Sequence, residues 1–422
     1  MKQFFGLLLC FLGVQHLEAV ASPDNSLAWY LQQAAEQNPG LKSTWHQWQA
    51  AVAGAEGADA LPDPEFSYDY FIEEVETRVG PQEQKFGARQ AFPWFGTLGL
   101  RERTADAGAE VAQARLEARK LGVFFEVKEA FYESWYLKQA LQIARENIEL
   151  VEHLEQVAQA RVRGGDAASG AIMAQVELGK LADRVNTLEA MRGPLAARLN
   201  SSIGRPAGSA VSWPVDPVFH EPVSLRREEL TAALRENPML AMIEANLRKH
   251  EFQEALARKE RFPNIMVGVD YISTGDALNP GTMDSGKDSL IAKVGLSLPI
   301  WSGKNRARIE EAGARREAAV YELSDKTYAL EAQLSQAAFT YDDAARKLAL
   351  YRDTLIPQAR QSQETVEDAY AAGKADFLNL IDAERLLLEF QLELERARAN
   401  LEIGKARIEM LTGQEWAEEI AR

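Results

Sequence analysis

The sequence predicts a mainly α-helical protein with a small antiparallel β part. Three observations support this prediction: long stretches of helical apolar periodicity, two pairs of short segments that alternate polar and apolar residues, and an internal duplication of that plan. The last helix shows the clearest periodicity, in steps of three and four residues: Leu380, Ala383, Leu387, Phe390, Leu394, Ala397, Leu401, Gly404, Ile408 and Leu411. Such a seam is typical of a helix packed along another helix.

An export signal is predicted at residues 1–21, because Lys2 precedes the apolar run 4–14 and the small-x-small site Ala19-Val20-Ala21. Cys10, the only cysteine, lies within this signal. The mature chain is therefore expected to contain no disulfide and no cysteine metal site. Lipidation of Cys10 is disfavoured, because no small residue stands directly before it.

The first half of the mature chain combines helices with one strand hairpin. A helix starting at Asn38-Pro39 places the proline in its first turn, where no N–H donor is needed. Polar and apolar residues alternate over about 65–93, with a polar turn expected at about 74–84. A helix of roughly 65 residues follows, about 100 Å long. We expect it to turn back at a tip formed by Gly164, Gly165 and Asp166.

The same plan returns in the second half of the chain. Asn237-Pro238 matches Asn38-Pro39, and each pair starts a helix. A second strand hairpin and a second helical hairpin follow in the same order. The predicted divisions are the signal at 1–21, a first repeat at 22–204, a linker at 205–222 and a second repeat at 223–422, with the second strand hairpin at about 264–299 and the second tip at 373–376.

Composition and motifs argue against several classes of protein. A formal charge of −16 argues against a nucleic-acid groove, which would need an extended basic face. No run after the signal reaches the roughly 18 apolar residues of a transmembrane helix. No catalytic constellation is present. The histidines of the mature chain are scattered along it: His46, His153, His220 and His250. We therefore expect no enzyme activity, no cofactor and no resident metal.

The predicted strands indicate an oligomer. Strands of about ten residues with one apolar face suit an outer membrane. Two hairpins cannot close a barrel, and lipid does not tolerate open strand edges. Other copies of the chain would have to complete a strand barrel, with a helical barrel below it. The alternative is a small soluble sheet that caps a coiled coil.

The ordered duplication and several short motifs resemble the TolC-type outer-membrane efflux proteins over nearly all of the mature chain. The motifs are Asn38–Leu41, Asn237–Leu240, the hairpin 372–383 and the terminal Met410–Gly413. The resemblance implies a homotrimer in which long helical hairpins form a trimeric α-barrel, and four strands per chain contribute to a 12-stranded transmembrane β-barrel. It also implies an outer-membrane location with a long periplasmic portion.

The resemblance further implies a passive exit duct that docks onto a periplasmic adaptor protein and an inner-membrane pump. In many relatives, acidic residues six and nine positions after the second tip glycine narrow the tunnel. Those positions hold Asn379 and Asp382 here, and Asp376 can contribute instead or cap the return helix. The tip turns expected to dock the adaptor contain Gly164, Gly165, Asp166, Gly373 and Lys374. The strand-to-helix junctions are Pro93, Trp94, Gly96, Pro299, Trp301 and Gly303, with both tryptophans expected to pack between sheet and helices.

Several functions remain open at this point. An exit duct would carry small toxic compounds or metal ions, and residues 92–97 resemble the heavy-metal branch of the family. A duct for type I protein secretion is the first alternative, and a periplasmic coiled-coil structural protein is the second. An exported hydrolase has no motif to support it.

Overall fold

The computed structural model describes residues 24–165 and 167–414, so the predicted signal peptide, Cys10 and Asp166 lie outside the described residues. The first half contains α1 (Leu27–Gln37), α2 (Pro39–Glu56), β1 (Glu65–Thr77), β2 (Gly80–Phe92), α3 (Thr97–Arg163) and α4 (Ser169–Ser202). The second half contains α5 (Arg227–Leu234), α6 (Pro238–Lys259), β3 (Asn264–Thr274), β4 (Ser289–Ser297), α7 (Ser302–Leu350), α8 (Ile356–Ala371) and α9 (Phe377–Thr412). The mainly helical fold with four antiparallel strands is confirmed.

The chain divides into two units. One consists of Ser43–Glu117 and Pro238–Ala329 and contains the whole sheet. The other consists of the described parts of Met1–Lys42, Ala118–Asn237 and Leu330–Arg422. In the sheet the strands follow the order β1-β2-β3-β4, and all three pairings are antiparallel. Within the described sheet, β1 and β4 are therefore edge strands.

The first strand hairpin extends further than predicted. Only Arg78 and Val79 separate β1 from β2, so the expected polar turn at about 74–84 is wrong. The pairing register shifts between Tyr70 and Val75 and then continues to Thr77. Backbone hydrogen bonds do not require apolar side chains, so the polar stretch remains a strand.

The helix before the second tip is not a single α-helix. A π-helical turn, Tyr351–Leu355, lies between α7 and α8. Pro357 stands in the first turn of α8, where it lacks an N–H and its ring would clash with the carbonyl four residues earlier. The wider π turn accommodates this proline without ending the helix.

Both Asn-Pro motifs form buried clamps in the helical unit. The Asn38 Nδ2 donates to the Ser202 carbonyl at 2.8 Å, and the Leu41 N–H donates to the Asn38 Oδ1 at 3.1 Å. The Asn237 Nδ2 donates to the Leu411 carbonyl at 2.7 Å. Each amide therefore ties the start of one helix to the end of another and satisfies backbone groups that the helices leave unpaired.

The predicted seam of α9 is only partly correct. From Ala397 to Leu411 the predicted positions are buried. Nearer the tip, Leu380 is buried as predicted, but the rest of the buried row is displaced from the predicted one: Ile381, Glu384, Leu388 and Leu392. The other predicted positions there are half-buried: Ala383, Leu387, Phe390 and Leu394. Because α9 contacts both α4 and α8, two adjacent stripes of the helix are covered instead of one.

Candidate functional site

The sheet places apolar and polar side chains on opposite faces. Cross-strand pairing aligns Tyr68 with Phe86, Phe86 with Tyr271, and Tyr271 with Leu290. The first three rings form a row with centroid separations of 5.2 and 6.5 Å. All four side chains are exposed. A continuous exposed apolar face is unusual for a soluble sheet and is typical of strands that contact lipid.

The opposite face carries a row of alternating charges across all four strands. The Lys85 Nζ lies 2.6 Å from the Asp69 carboxylate and 3.9 Å from the Asp270 carboxylate, and Lys293 also pairs with Asp270. Gly87 leaves room for this row, because a Cβ there would stand 3.0 Å from the Asp270 Oδ1 and 2.5 Å from the neighbouring Ser67 Oγ. This face is therefore polar and suited to contact with water.

Glycines shape the turns at both helical tips. Gly165 has a φ of +109° and Gly373 a φ of +71°, and an added Cβ would meet nothing within 4 Å at either position. The backbone conformation, and not lack of space, therefore favours glycine. At the second tip the Lys374 N–H donates to the Ala369 carbonyl at 2.8 Å, which closes α8 as in a Schellman motif. The first tip closes differently, because the Gly164 N–H donates to the Arg161 carbonyl three residues earlier, at 2.8 Å, which tightens the last turn of α3.

The two tips contact each other through side chains that sequence reasoning missed. The Arg161 Nη2 donates to the Tyr370 carbonyl at 2.5 Å, and its guanidinium lies 4.1 Å from the centroid of that ring. The Tyr370 and Phe377 rings meet edge to face at 5.7 Å. Gly170 lies close to Phe377. The sequence did offer one indication of this contact, because two aromatic residues, Tyr370 and Phe377, flank Gly373.

An ion-pair link joins α4 to α9 near the tips. The Arg385 guanidinium pairs with Glu177 and lies 3.1 Å from the Asp382 Oδ1. The Glu177 side chain is only 8% exposed, and the Arg385 hydrogen bond holds its pKa below the ordinary value. The Lys180 Nζ lies further away, at 3.6 Å. Arg385 therefore holds acids from two helices together.

Among the predicted constriction residues, only Asp382 takes part in this link. Asp376 occupies the N-cap position of α9, but its side chain makes no capping hydrogen bond, so the alternative of a side-chain cap is wrong. The Asn379 N–H donates instead to the Asp376 backbone carbonyl at 3.1 Å. All three side chains are exposed, and their role in a constriction stays a prediction.

The two strand-to-helix junctions differ. In the first, which contains Pro93 and Gly96, the Trp94 ring stacks on Phe262 with a centroid separation of 5.3 Å. In the second, between Pro299 and Gly303, Trp301 is 72% exposed, so its expected packing is wrong. The second junction follows β4, which is an edge strand of the described sheet, so no further strand of the sheet lies beside it.

A buried acid lies between α8 and α9. Glu384 is 2% exposed, and its Oε1 accepts a hydrogen bond of 2.7 Å from the Gln363 Nε2. Its Oε2 has no hydrogen-bond partner among the described residues. Burial raises the pKa of this carboxyl above its ordinary value.

Glu384→Gln is expected to stabilise the folded protein at neutral and alkaline pH but not near pH 4. Because the folded-state pKa is raised, folding loses stability as pH rises from the ordinary glutamate value, about 4.3, through the raised value. Melting temperatures measured across pH test this. Glu389→Gln, an exposed change on the same helix, is the matched control. Parallel pH profiles for wild type and Glu384→Gln would contradict the prediction.

Residues 24–165 and 167–414 contain no cluster of three or more metal-ligating side chains. No helix in the same ranges is both long and apolar enough to cross a bilayer.

Comparison with known proteins identifies the family. The family model described as outer membrane efflux protein matches residues 30–175 and 230–414. The cobalt-zinc-cadmium resistance protein CzcC of Cupriavidus metallidurans is 20% identical, and the alignment covers 85% of this chain and 83% of CzcC.

Solved structures show the same fold. The outer-membrane channel OprN matches with a TM-score of 0.78 and 21% identity, over 92% of this chain and 90% of OprN. CusC matches with a TM-score of 0.77 and 15% identity, over 93% of each chain. The earlier resemblance to TolC-type proteins is thus confirmed. Since the family model covers well over half of its residues, the chain belongs to the outer membrane efflux protein family.

Proposed function

We propose that the chain assembles as a homotrimer and serves as the passive exit duct of a tripartite efflux system. The sheet carries this proposal, because it combines two open edges with one exposed apolar face and one charged face. Four strands from each of three copies would give a closed barrel of twelve. The apolar face would then contact lipid, and the charged face would line a water-filled lumen.

The helical part supports assembly with further copies. We propose that residues 22–204 and 223–422 are two structural repeats, each contributing one hairpin to a periplasmic α-barrel. On α7, Tyr321, Tyr328 and Phe339 are 71%, 70% and 61% exposed, and their spacing places them on one face of the helix. A neighbouring copy would cover this face. A coiled-coil structural protein does not account for the apolar face of the sheet.

The tips would form the periplasmic end of the duct. Ile172 and Val176 are exposed close to the first tip, and Lys374 is exposed at the second. These surfaces would dock a periplasmic adaptor, and an inner-membrane pump would supply the energy. Three copies of Asp382, one from each protomer, would narrow the lumen and favour cations, with Asp376 and Asn379 lining the same opening.

Metal ions and small toxic compounds are the proposed cargo. Similarity to CzcC favours divalent cations such as cobalt, zinc and cadmium. Protein secretion through an ATP-driven exporter is the alternative.

Deletion of this chain from its host is expected to increase sensitivity to these cations, and complementation should restore resistance. Outer-membrane fractions should contain heat-modifiable trimers. A periplasmic monomer, or a deletion that changes only the secretion of one protein, would contradict the efflux proposal. Sensitivity to dyes but not to cations would assign the cargo to organic compounds.

A further inference from the structure

A basic cleft of about 600 Å³ lies where the strands join the helices. One wall comes from the first turns of α3, with Leu100 and Arg103. The other comes from the end of α6 and the residues that follow it, with Arg258, Lys259 and Arg261. Phe92, at the end of β2, pairs with Ile265 near the start of β3, which brings the two walls together.

The charge in this cleft is largely uncompensated. Arg258 pairs with Glu254 at 2.5 Å, whereas Arg103, Lys259 and Arg261 form no ion pair with the described residues. Arg258 and Lys259 lie in the last turn of α6, where the negative end of the helix dipole stabilises basic side chains. The dipole of α6 does not explain the basic residues at the other two positions, because Arg103 belongs to α3 and Arg261 lies beyond the end of α6. The cleft is thus a cationic site in a chain with a net charge of −16.

The surroundings of the cleft are those of a membrane surface. Phe95, Ile300 and Trp301 are exposed beside the strand ends, directly after the lipid-type face of the sheet. Exposed aromatic residues at such a position are typical of the membrane–water interface. Aromatic rings partly orient two arginines of the cleft. The Arg103 guanidinium lies 5.9 Å from the centroid of the Phe252 ring, and the Arg261 guanidinium lies 5.1 Å from the centroid of the Phe262 ring.

We propose that this cleft binds the phosphate of an anionic phospholipid headgroup. Guanidinium groups bind phosphate oxygens through paired hydrogen bonds, and basic pockets at membrane depth bind lipid headgroups. The acyl chains would lie against Phe95 and the apolar face of the sheet. The lipid proposal rests on the outer-membrane location and does not depend on which cargo the duct carries. A failure of the lipid proposal therefore leaves the cargo proposal intact, and the reverse also holds.

Native mass spectrometry of the purified full-length channel, titrated with phosphatidylglycerol, tests the site. Arg103→Gln/Arg261→Gln is expected to weaken lipid binding about tenfold, because two charge-assisted contacts are lost. Lys304→Gln/Arg306→Gln removes the same charge from exposed positions at the start of α7, outside the cleft, and should bind as wild type does. Equal binding by both double variants would overturn the proposal.

A second variant tests the cleft without changing charge. Ala255 lines the cleft, so Ala255→Phe should fill it and weaken phosphatidylglycerol binding while the trimer persists. Wild-type binding by Ala255→Phe would overturn the proposal. Inorganic phosphate at millimolar concentration should not compete with the lipid. Full competition would assign the cleft to free phosphate and overturn the lipid assignment.

Discussion

Arg385→Ala is expected to raise the conductance of the closed channel in planar bilayers. The substitution cuts the link between α4 and α9 and leaves Glu177 buried with only Lys180 nearby, at 3.6 Å. Arg385 is 41% exposed, so solvent weakens the link to about 1–2 kcal/mol. If the link exists only in the closed tip, its loss shifts the closed-to-open equilibrium about tenfold.

The effect of Arg385→Ala should depend on pH in a defined direction. Arg385 lowers the pKa of Glu177 in the folded chain, so the link is fully present above the ordinary glutamate value, about 4.3. It is lost as pH falls through the lowered pKa. Wild type and Arg385→Ala should therefore differ most at neutral pH and converge under strong acid.

Two substitutions serve as controls for Arg385→Ala. Arg346→Ala removes an exposed arginine that pairs with the half-buried Asp343 on its own helix, α7, and it should leave conductance unchanged. Asp382→Ala keeps the Arg385–Glu177 pair, so it should change cation selectivity more than the closed-state conductance. Wild-type conductance of Arg385→Ala at neutral pH would show that the link does not hold the tip closed.

The features that follow from local periodicity could be predicted from the sequence. Alternation of Tyr68 with Asp69 predicts a strand with unlike faces, and the structure places these residues on the apolar and charged faces. The absence of proline after Gly96 predicts a long helix, observed as Thr97–Arg163. The turn of the first hairpin could not be predicted, since polar residues can either continue a strand or end it.

Features that depend on distant contacts could not be predicted from one sequence. Glu177 and Arg385 are 208 positions apart, and each resembles an ordinary surface charge in its own helix. Arg161 and Tyr370 are 209 positions apart, and they meet only once both helical hairpins have formed. The contacts near the tips therefore depend on packing between distant segments, and the motif residue Asp382 is only one member of the ion-pair link.

Gly204→Ala is expected to destabilise the channel strongly. Gly204, two residues beyond the end of α4, has a φ of +77°, and a Cβ there would stand 2.7 Å from the Gln37 carbonyl oxygen and 2.8 Å from the Pro39 Cδ. The left-handed conformation costs about 1–2 kcal/mol for alanine, and displacement of the packed backbone adds about 1–3 kcal/mol. That displacement would also disturb the Asn38 clamp, which bonds to Ser202.

Substitutions at two other glycines separate the conformational cost of Gly204→Ala from its steric cost. Melting temperature and trimer yield are the measurements. Gly373 has a φ of +71° but open space around it, so Gly373→Ala should show the conformational effect alone. Gly179, inside α4, has open space and no positive φ, so Gly179→Ala should stabilise by up to about 1 kcal/mol through helix propensity. The order of stability should be Gly179→Ala above Gly373→Ala, and Gly373→Ala above Gly204→Ala. Equal melting temperatures for the last two would show that the backbone beside Asn38 yields freely, and that the clamp does not fix the end of α4.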